Sequence, residues 1–292
     1  MKIKIKDVAA IHAIDMELLC TFDKMCRDVG LVYSLAGGTL LGAVRHKGFI
    51  PWDDDVDLFM LRPDYEKFLK IYNNVILDNP YFRLVHCNNG ESGITFARLI
   101  DIRASVHHPT SVAIHNVWID ILPLDGIPEN EENIKVFVRK LRKLRYLRLL
   151  ANSRPCKGKS KLRAYIKTPI AYAMRKFGIR KLIIKRIINE SQKIPYESSN
   201  RVGELVAQAR VKGTVCKDSF KDYIWLDFNG KKFMVMPDYE NYLKECYGDY
   251  MKLPPKKQQN GHKVDLTVDI DLYDGELKEY LLEIYNKCGG NN

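Results

Sequence analysis

The sequence predicts a mixed α/β (α+β) fold, a mixed sheet flanked by helices and interrupted by a basic helical insertion. Three observations predict it. Short apolar runs alternate with amphipathic stretches through the first 128 residues. Lys135–Asn189 then holds 19 Lys and Arg with no Asp or Glu, in a helical pattern. Strand and hairpin signals return near residue 224.

Taken in order, Lys6–Asp28 reads as an amphipathic helix, because Val8, Ile11, Ile14, Leu18, Phe22 and Met25 recur at three- and four-residue steps. Gly30 is placed to end it. Leu31–Ala36 is a short strand, Gly37-Gly38 breaks it, and Thr39 is placed to cap a short helix through Arg45. Val56–Leu61 is the next strand, and Pro63 opens a helix to about Asn74. Strands are expected at Phe82–His86, Ile94–Ile100 and Val117–Ile121. Glu131–Ala151 is a long helix, Arg154–Ser160 a break, and helix resumes to about Gln192. Asn229-Gly230 between Ile224–Phe228 and Lys232–Met236 is a type I′ hairpin signal. Asp238–Cys246 is helical. Boundaries near Pro128 and Pro195 divide the chain into a catalytic core (1–128), a basic insertion (129–195) and a return (196–292) whose hairpin and helix complete the catalytic domain.

The chain has 292 residues, 46% of them hydrophobic, enough for a real core. Lys and Ile alternate at the N-terminus without a continuous apolar region, so no signal peptide is expected. No run reaches the ~18–20 apolar residues of a membrane span, and a cytosolic location is expected. The seven cysteines are scattered without a Cys-x-x-Cys pair, which argues against a zinc site or disulfide framework. The formal charge is +11, yet outside Lys135–Asn189 there are 28 basic against 36 acidic residues. One segment carries the excess, which points to an anionic partner.

Chemistry concentrates in Ala36–Met60. Asp53, Asp54, Asp55 and Asp57 fall within five residues. In an extended chain Asp53, Asp55 and Asp57 share a face, where their mutual repulsion calls for a cation. Hard oxygen ligands suit Mg²⁺ or Mn²⁺, with sites left for substrate phosphates. A solvated acidic turn is the alternative, and the apolar strand that follows directly argues against it. An EF-hand is excluded, since Leu58 and Asp64 stand where that loop needs Gly and Glu. Upstream, Gly37-Gly38 at a helix start lets a phosphate approach the backbone. Strand, Gly-Gly, helix and a strand bearing Asp-x-Asp is the plan of nucleotidyltransferase-like proteins.

The stretch GGTLLGAVRHKGFIPWDDDVD resembles the signature of the LicD-type transferases, to which the human fukutin-related proteins are allied. Val117–Gly126, Met236–Tyr239 and Tyr242–Pro255 resemble the family's later blocks. The resemblance implies transfer of phosphorylcholine, or a related polyol phosphate, from a CDP-activated donor to a hydroxyl of a bacterial surface glycan, with release of CMP. It implies Asp55 and Asp57 as paired metal ligands and Asp120 as the third. The alternative for Asp120 is a buried structural acid paired with an arginine, which ranks second. Asp53 is a further ligand or supports one. Gly37, Gly38 and Thr39 would meet the donor phosphates, and Arg45 and His46 would neutralise charge on the transferring or leaving group. Lys47 reads as a solvated turn residue. Asp120 or Asp53 would take the hydroxyl proton. Arg98, Asp101 and Arg103 either face the site or pair among themselves, and His262 reads as a surface residue.

Lys135–Asn189 mixes basic and apolar residues, as in KLIIKRII, and suits an anionic membrane surface bearing a lipid-linked acceptor. A solvated helical face ranks next. A nucleic-acid patch ranks third, because few aromatics interleave for base stacking. Two rival functions remain: a nucleotidyltransferase acting on a small molecule or RNA, and a non-enzymatic nucleic-acid-binding module.

Overall fold

A computed structural model describes residues 1–72, 79–87, 93–106, 116–153, 161–259 and 265–289, the side chains of 161–166 excepted. The break at Arg154–Ser160 and His262 lie outside the described residues. The described residues form a nine-stranded mixed sheet, a separate two-stranded hairpin and eight helices. The fold is the α+β, nucleotidyltransferase-like arrangement that the strand and helix pattern predicts.

Strand β1 (Lys2–Ile5) is a period-2 element, with Ile3 and Ile5 buried and Lys2 and Lys4 exposed. Helix α1 (Val8–Asp28) starts where Asp7 accepts the Ala9 N–H. It lays Ile11, Ile14, Leu18 and Phe22 against the sheet. Burying each such side chain contributes about 1.5–3 kcal/mol. The β2 strand (Ser34–Leu35) is shorter than its apolar run suggests. Helix α2 (Gly37–His46) begins at Ala36 with no side-chain cap. Thr39 therefore does not cap it. It is one turn inside the helix, and its hydroxyl oxygen accepts the Asp57 N–H instead.

Strand β3 (Val56–Leu61) leads into α3 (Arg62–Tyr72), β4 (Phe82–Val85), β5 (Ala97–Val106) and β6 (Asn116–Gly126). β3 and β6 are parallel, and their register sets Asp57 opposite Asp120. β5 and β6 are antiparallel, and their register sets Arg98 opposite the same Asp120. Helices α4 (Glu131–Asn152), α5 (Lys161–Lys176) and α6 (Ile179–Ser191) pack on one another. Their inner residues, among them Val138, Leu141 and Ile187, join the same apolar cluster as the sheet.

Next come β7 (Arg201–Glu204), which extends the sheet from the end of β6, and β8 (Val215–Cys216). Strands β9 (Ile224–Phe228) and β10 (Lys231–Val235) form the hairpin, with Asn229 and Gly230 both at positive φ as a type I′ turn requires. Helix α7 (Tyr239–Tyr247) follows. β11 (Leu266–Asp269) inserts between β1 and β5, and α8 (Gly275–Lys287) packs on α1.

Candidate active site

The glycine turn and the acidic strand are stitched together by backbone hydrogen bonds. The Ala36 N–H donates to the Asp57 carbonyl at 3.0 Å, and the Asp57 N–H donates to Thr39 Oγ1 at 2.9 Å. Gly37 lies at φ +52°, where a side chain would be strained. A Cβ there would stand 3.1 Å from Asp57 Oδ2, and one on Gly38 would stand 2.5 Å from Asp53 Oδ2. The two glycines thus exist beside these carboxylates because nothing larger fits. From α1, His12 Nε2 donates to the Asp53 carbonyl at 2.7 Å while its ring stacks on Phe49. His12 pins the acidic loop. Its one sequence signal is an imidazole on the sheet-facing side of α1.

The sheet register puts Arg98, Asp120 and Asp57 in one row across β5, β6 and β3. Arg98 grips Asp120 with two guanidinium nitrogens, at 2.6 and 3.3 Å, and lies over the Trp118 ring. Burial, and then the charges of Asp55, Asp120, Glu204 and Asp53, hold the Asp57 carboxyl well above the usual carboxylate range. Asp15 on α1 is fully buried and raised in the same way, by burial and then by Asp55, Asp54 and Asp120. Among the described residues no three His, Cys, Asp or Glu side chains close around one point. Asp53, Asp54, Asp55 and Asp57 are half-buried along the loop and the start of β3, and Asp120, oriented by Arg98, is buried on the neighbouring strand. That donor set suits a hard divalent cation, which keeps only one or two protein carboxylates and fills its other positions with water and phosphate.

Beside these acids opens a small cleft. Gly37, Gly38 and Asp57 form one wall, Arg210 and Lys212 another, and Tyr242 and Tyr247 close it. The Tyr242 hydroxyl accepts the Gly37 N–H at 3.3 Å and so ties α7 to the glycine turn. Arg210 and Lys212 escaped the sequence reading. They lie in a loop after β7 with no motif of their own, and only the fold carries that loop across to Gly37.

Arg45 and His46 do not line this cleft. Arg45 donates to the Tyr250 carbonyl at 2.9 Å and to His46, and His46 sits edge-on to Trp52. They hold the C-terminal loop against α2. Asp101 and Arg103 pair with each other, while Arg98 takes a different partner.

Residues 30–125, which hold the glycine turn, the acidic strand and Asp120, match the model of the LicD/FKTN/FKRP nucleotidyltransferase domain. Beyond that domain, the chain is similar to the lipopolysaccharide cholinephosphotransferase LicD of Haemophilus influenzae. They are 28% identical over 251 residues, which cover 85% of this chain and 93% of that protein. It is also similar to an uncharacterized protein of Rickettsia typhi, 51% identical over 99 residues, or 34% of this chain and 30% of that protein. A second uncharacterized protein, from Rickettsia prowazekii, is 56% identical over 32 residues, 11% of this chain and 12% of its own length.

Proposed function

We propose that this protein is a divalent-cation-dependent transferase that moves phosphorylcholine from CDP-choline to a hydroxyl of a bacterial surface glycan, releasing CMP. One observation carries the reading. The glycine turn and Asp57, whose strand neighbour is Asp120, line a single cleft together with Arg210 and Lys212, which suits a diphosphate approached by an acceptor. The likeness to a lipopolysaccharide cholinephosphotransferase over most of both chains supports the choice of group.

In this reading Gly37 and Gly38 let the diphosphate reach the backbone, and Arg210 and Lys212 neutralise its charge. Asp55 and Asp57 would hold Mg²⁺ or Mn²⁺, with Asp120 as the third carboxylate, and such a cation would supply positive charge that stabilises the transferring and leaving groups. Arg98 aims Asp120 and offsets part of the rise that burial imposes on its carboxyl. The acceptor oxygen attacks in line, and its proton passes to Asp53 or Asp120. The test is CMP release from labelled CDP-choline with acceptor glycan, run with Mg²⁺ and with EDTA. Label on the glycan, abolished by EDTA and by Asp55→Ala, is the expected result. Transfer of a nucleoside monophosphate from a nucleoside triphosphate instead would establish the nucleotidyltransferase reading. Metal-independent RNA binding without transfer would establish the non-enzymatic one.

Helices α4 to α6 suit the anionic face of a membrane that carries the acceptor. Tyr146, Leu149, Phe177 and Leu182 are exposed there among Lys and Arg. No helix among the described residues is long and apolar enough to cross a membrane, so such contact would be peripheral. Flotation with anionic but not with neutral liposomes is expected.

A further inference from the structure

A second cavity lies between α1 and the β9–β10 hairpin, separate from the cleft at Gly37. Helix α1 lines it with Cys20, Asp23 and Arg27, and the hairpin with Trp225, Lys231 and Lys232. Its volume is about 540 Å³, within the roughly 300–1,000 Å³ of ligand pockets. Trp225 is 39% exposed, and Tyr223 beside it is exposed too, with the two rings edge-on at 5.4 Å. Arg27 lies over the Trp225 ring at 5.9 Å and pairs with Asp23 at 2.6 Å. Asp23 is buried and also accepts the Tyr33 hydroxyl. Lys231 and Lys232 are exposed and meet no carboxylate among the described residues. Three cations therefore share one carboxylate, and that carboxylate is spent on Arg27.

Both walls of this groove lead to the acidic loop. On α1, His12 precedes Asp23 by eleven residues, about three turns, so the two share a face. His12 is the residue that holds the Asp53 carbonyl. At the turn of the hairpin, the Asn229 N–H donates to the Lys47 carbonyl at 2.8 Å, and the Asn229 side-chain oxygen accepts the Phe49 N–H at 3.3 Å. The Phe49 ring meets His12 at 4.0 Å and Phe228 at 4.7 Å, and so ties the two walls together. Cys20 stands about 12 Å along α1 from His12. A molecule that occupies the groove and also reaches Asp53 must be an extended chain.

We propose that this groove binds an anionic glycan chain, with a sugar ring against Trp225 and the negative groups on Lys231 and Lys232. An exposed indole offers an apolar face to the C–H side of a sugar ring, and lysines hold anionic substituents as point charges. A single strand of nucleic acid fits less well. Successive bases stack on successive platforms, whereas the Tyr223 and Trp225 planes cross at 88°. The chain is the acceptor, and a hydroxyl farther along it reaches the acidic loop. That last role rests on the transferase reading; binding in the groove does not.

Binding is tested on the full chain in EDTA, by calorimetric titration at constant ionic strength. The probes are a pentasaccharide bearing phosphate monoesters, one bearing uronate groups, and a neutral one. The wild type should bind a charged pentasaccharide saturably and more tightly than the neutral one, and the charged probe that binds identifies the anion. Trp225→Ala should weaken that binding about tenfold or more, and Trp225→Phe should stay within about threefold of the wild type. Lys231→Gln with Lys232→Gln should cost about fivefold and remove the preference for charge. No saturable binding of either charged probe, or binding unchanged in the Trp225→Ala and lysine variants, overturns the site. So does a short single-stranded DNA that binds more tightly than both and weakens in the same variants. In the transferase assay, Trp225→Ala should raise KM for a polymeric acceptor about tenfold and leave kcat and KM for CDP-choline unchanged. An unchanged KM for that acceptor overturns the acceptor role. If the wild type does not turn over CDP-choline, the transferase reading has failed while the metal-free titration still decides the groove.

Discussion

Strand β5 carries two arginines five residues apart that face opposite ways, and the two surroundings differ in one respect. On the α1 side Arg103 is fully used. It donates to both oxygens of Asp101 and to Glu17, its guanidinium stacks on Tyr273 at 3.9 Å, and the Tyr273 hydroxyl donates to Asp101. On the other side Arg98 holds Asp120, but Arg145 and Arg148 beside it keep unmet donors, and Asp57 sits among carboxylates. A buried charge is tolerated when every partner is supplied. The first network meets that condition from within the chain and is structural. The second leaves buried donors and clustered carboxylates unmet among the described residues, and this distinguishes it from the buried ion pair on the same strand.

Three variants put that contrast at risk. Asp57→Asn should lower turnover at least about a thousandfold and leave the melting temperature unchanged or raised, since it removes repulsion as well as a ligand. A melting temperature that falls with activity would make Asp57 a structural acid like Asp101. Asp101→Ala should do the reverse. Urea denaturation should show a loss of about 3–5 kcal/mol, because Arg103 is left with Glu17 alone, while activity per folded molecule stays within about twofold. Gly38→Ala is the finer probe. Its Cβ would displace the Asp53 carboxylate, and a shift of that size should lower kcat about a hundredfold at nearly constant stability. Wild-type kinetics in that variant would show that Asp53 has no part in the reaction.

The legible parts of the fold were those with local signals. The period of α1, the Asn229-Gly230 turn and the Gly37–Asp57 run all depend on residues within a few positions of one another. Thr39 was misread because Ser or Thr near a helix start is a good cap signal, whereas the helix here begins two residues earlier and the hydroxyl serves β3. β1 and β11 went unread because each is only four residues long and is stabilised mainly by the other and by β5. Arg45 and His46 carried the right charge for a phosphate site, but backbone carbonyls of the loop at Tyr250 claim Arg45.

The basic segment shows the same limit. Its charge and helicity were plain, and several of its apolar residues, among them Tyr146, Phe177 and Leu182, are exposed. That Arg148 and Asn152 would be buried near the end of α4 and bonded to the Gly93 carbonyl was not readable, although their polar positions on an otherwise apolar seam mark them in retrospect.

By itself, then, the sequence set out the local ingredients: a glycine pair at a helix start, aspartates clustered before an apolar strand, and one strongly basic segment. These follow from residue type and short spacing, which local sterics and charge translate directly. Only the tertiary structure decided which charges meet. Parallel pairing of β3 with β6 sets Asp57 against Asp120, antiparallel pairing of β5 adds Arg98, and the loop after β7 brings Arg210 and Lys212 to Gly37. Strand register and packing settle such meetings over long sequence separations, where no local pattern carries them.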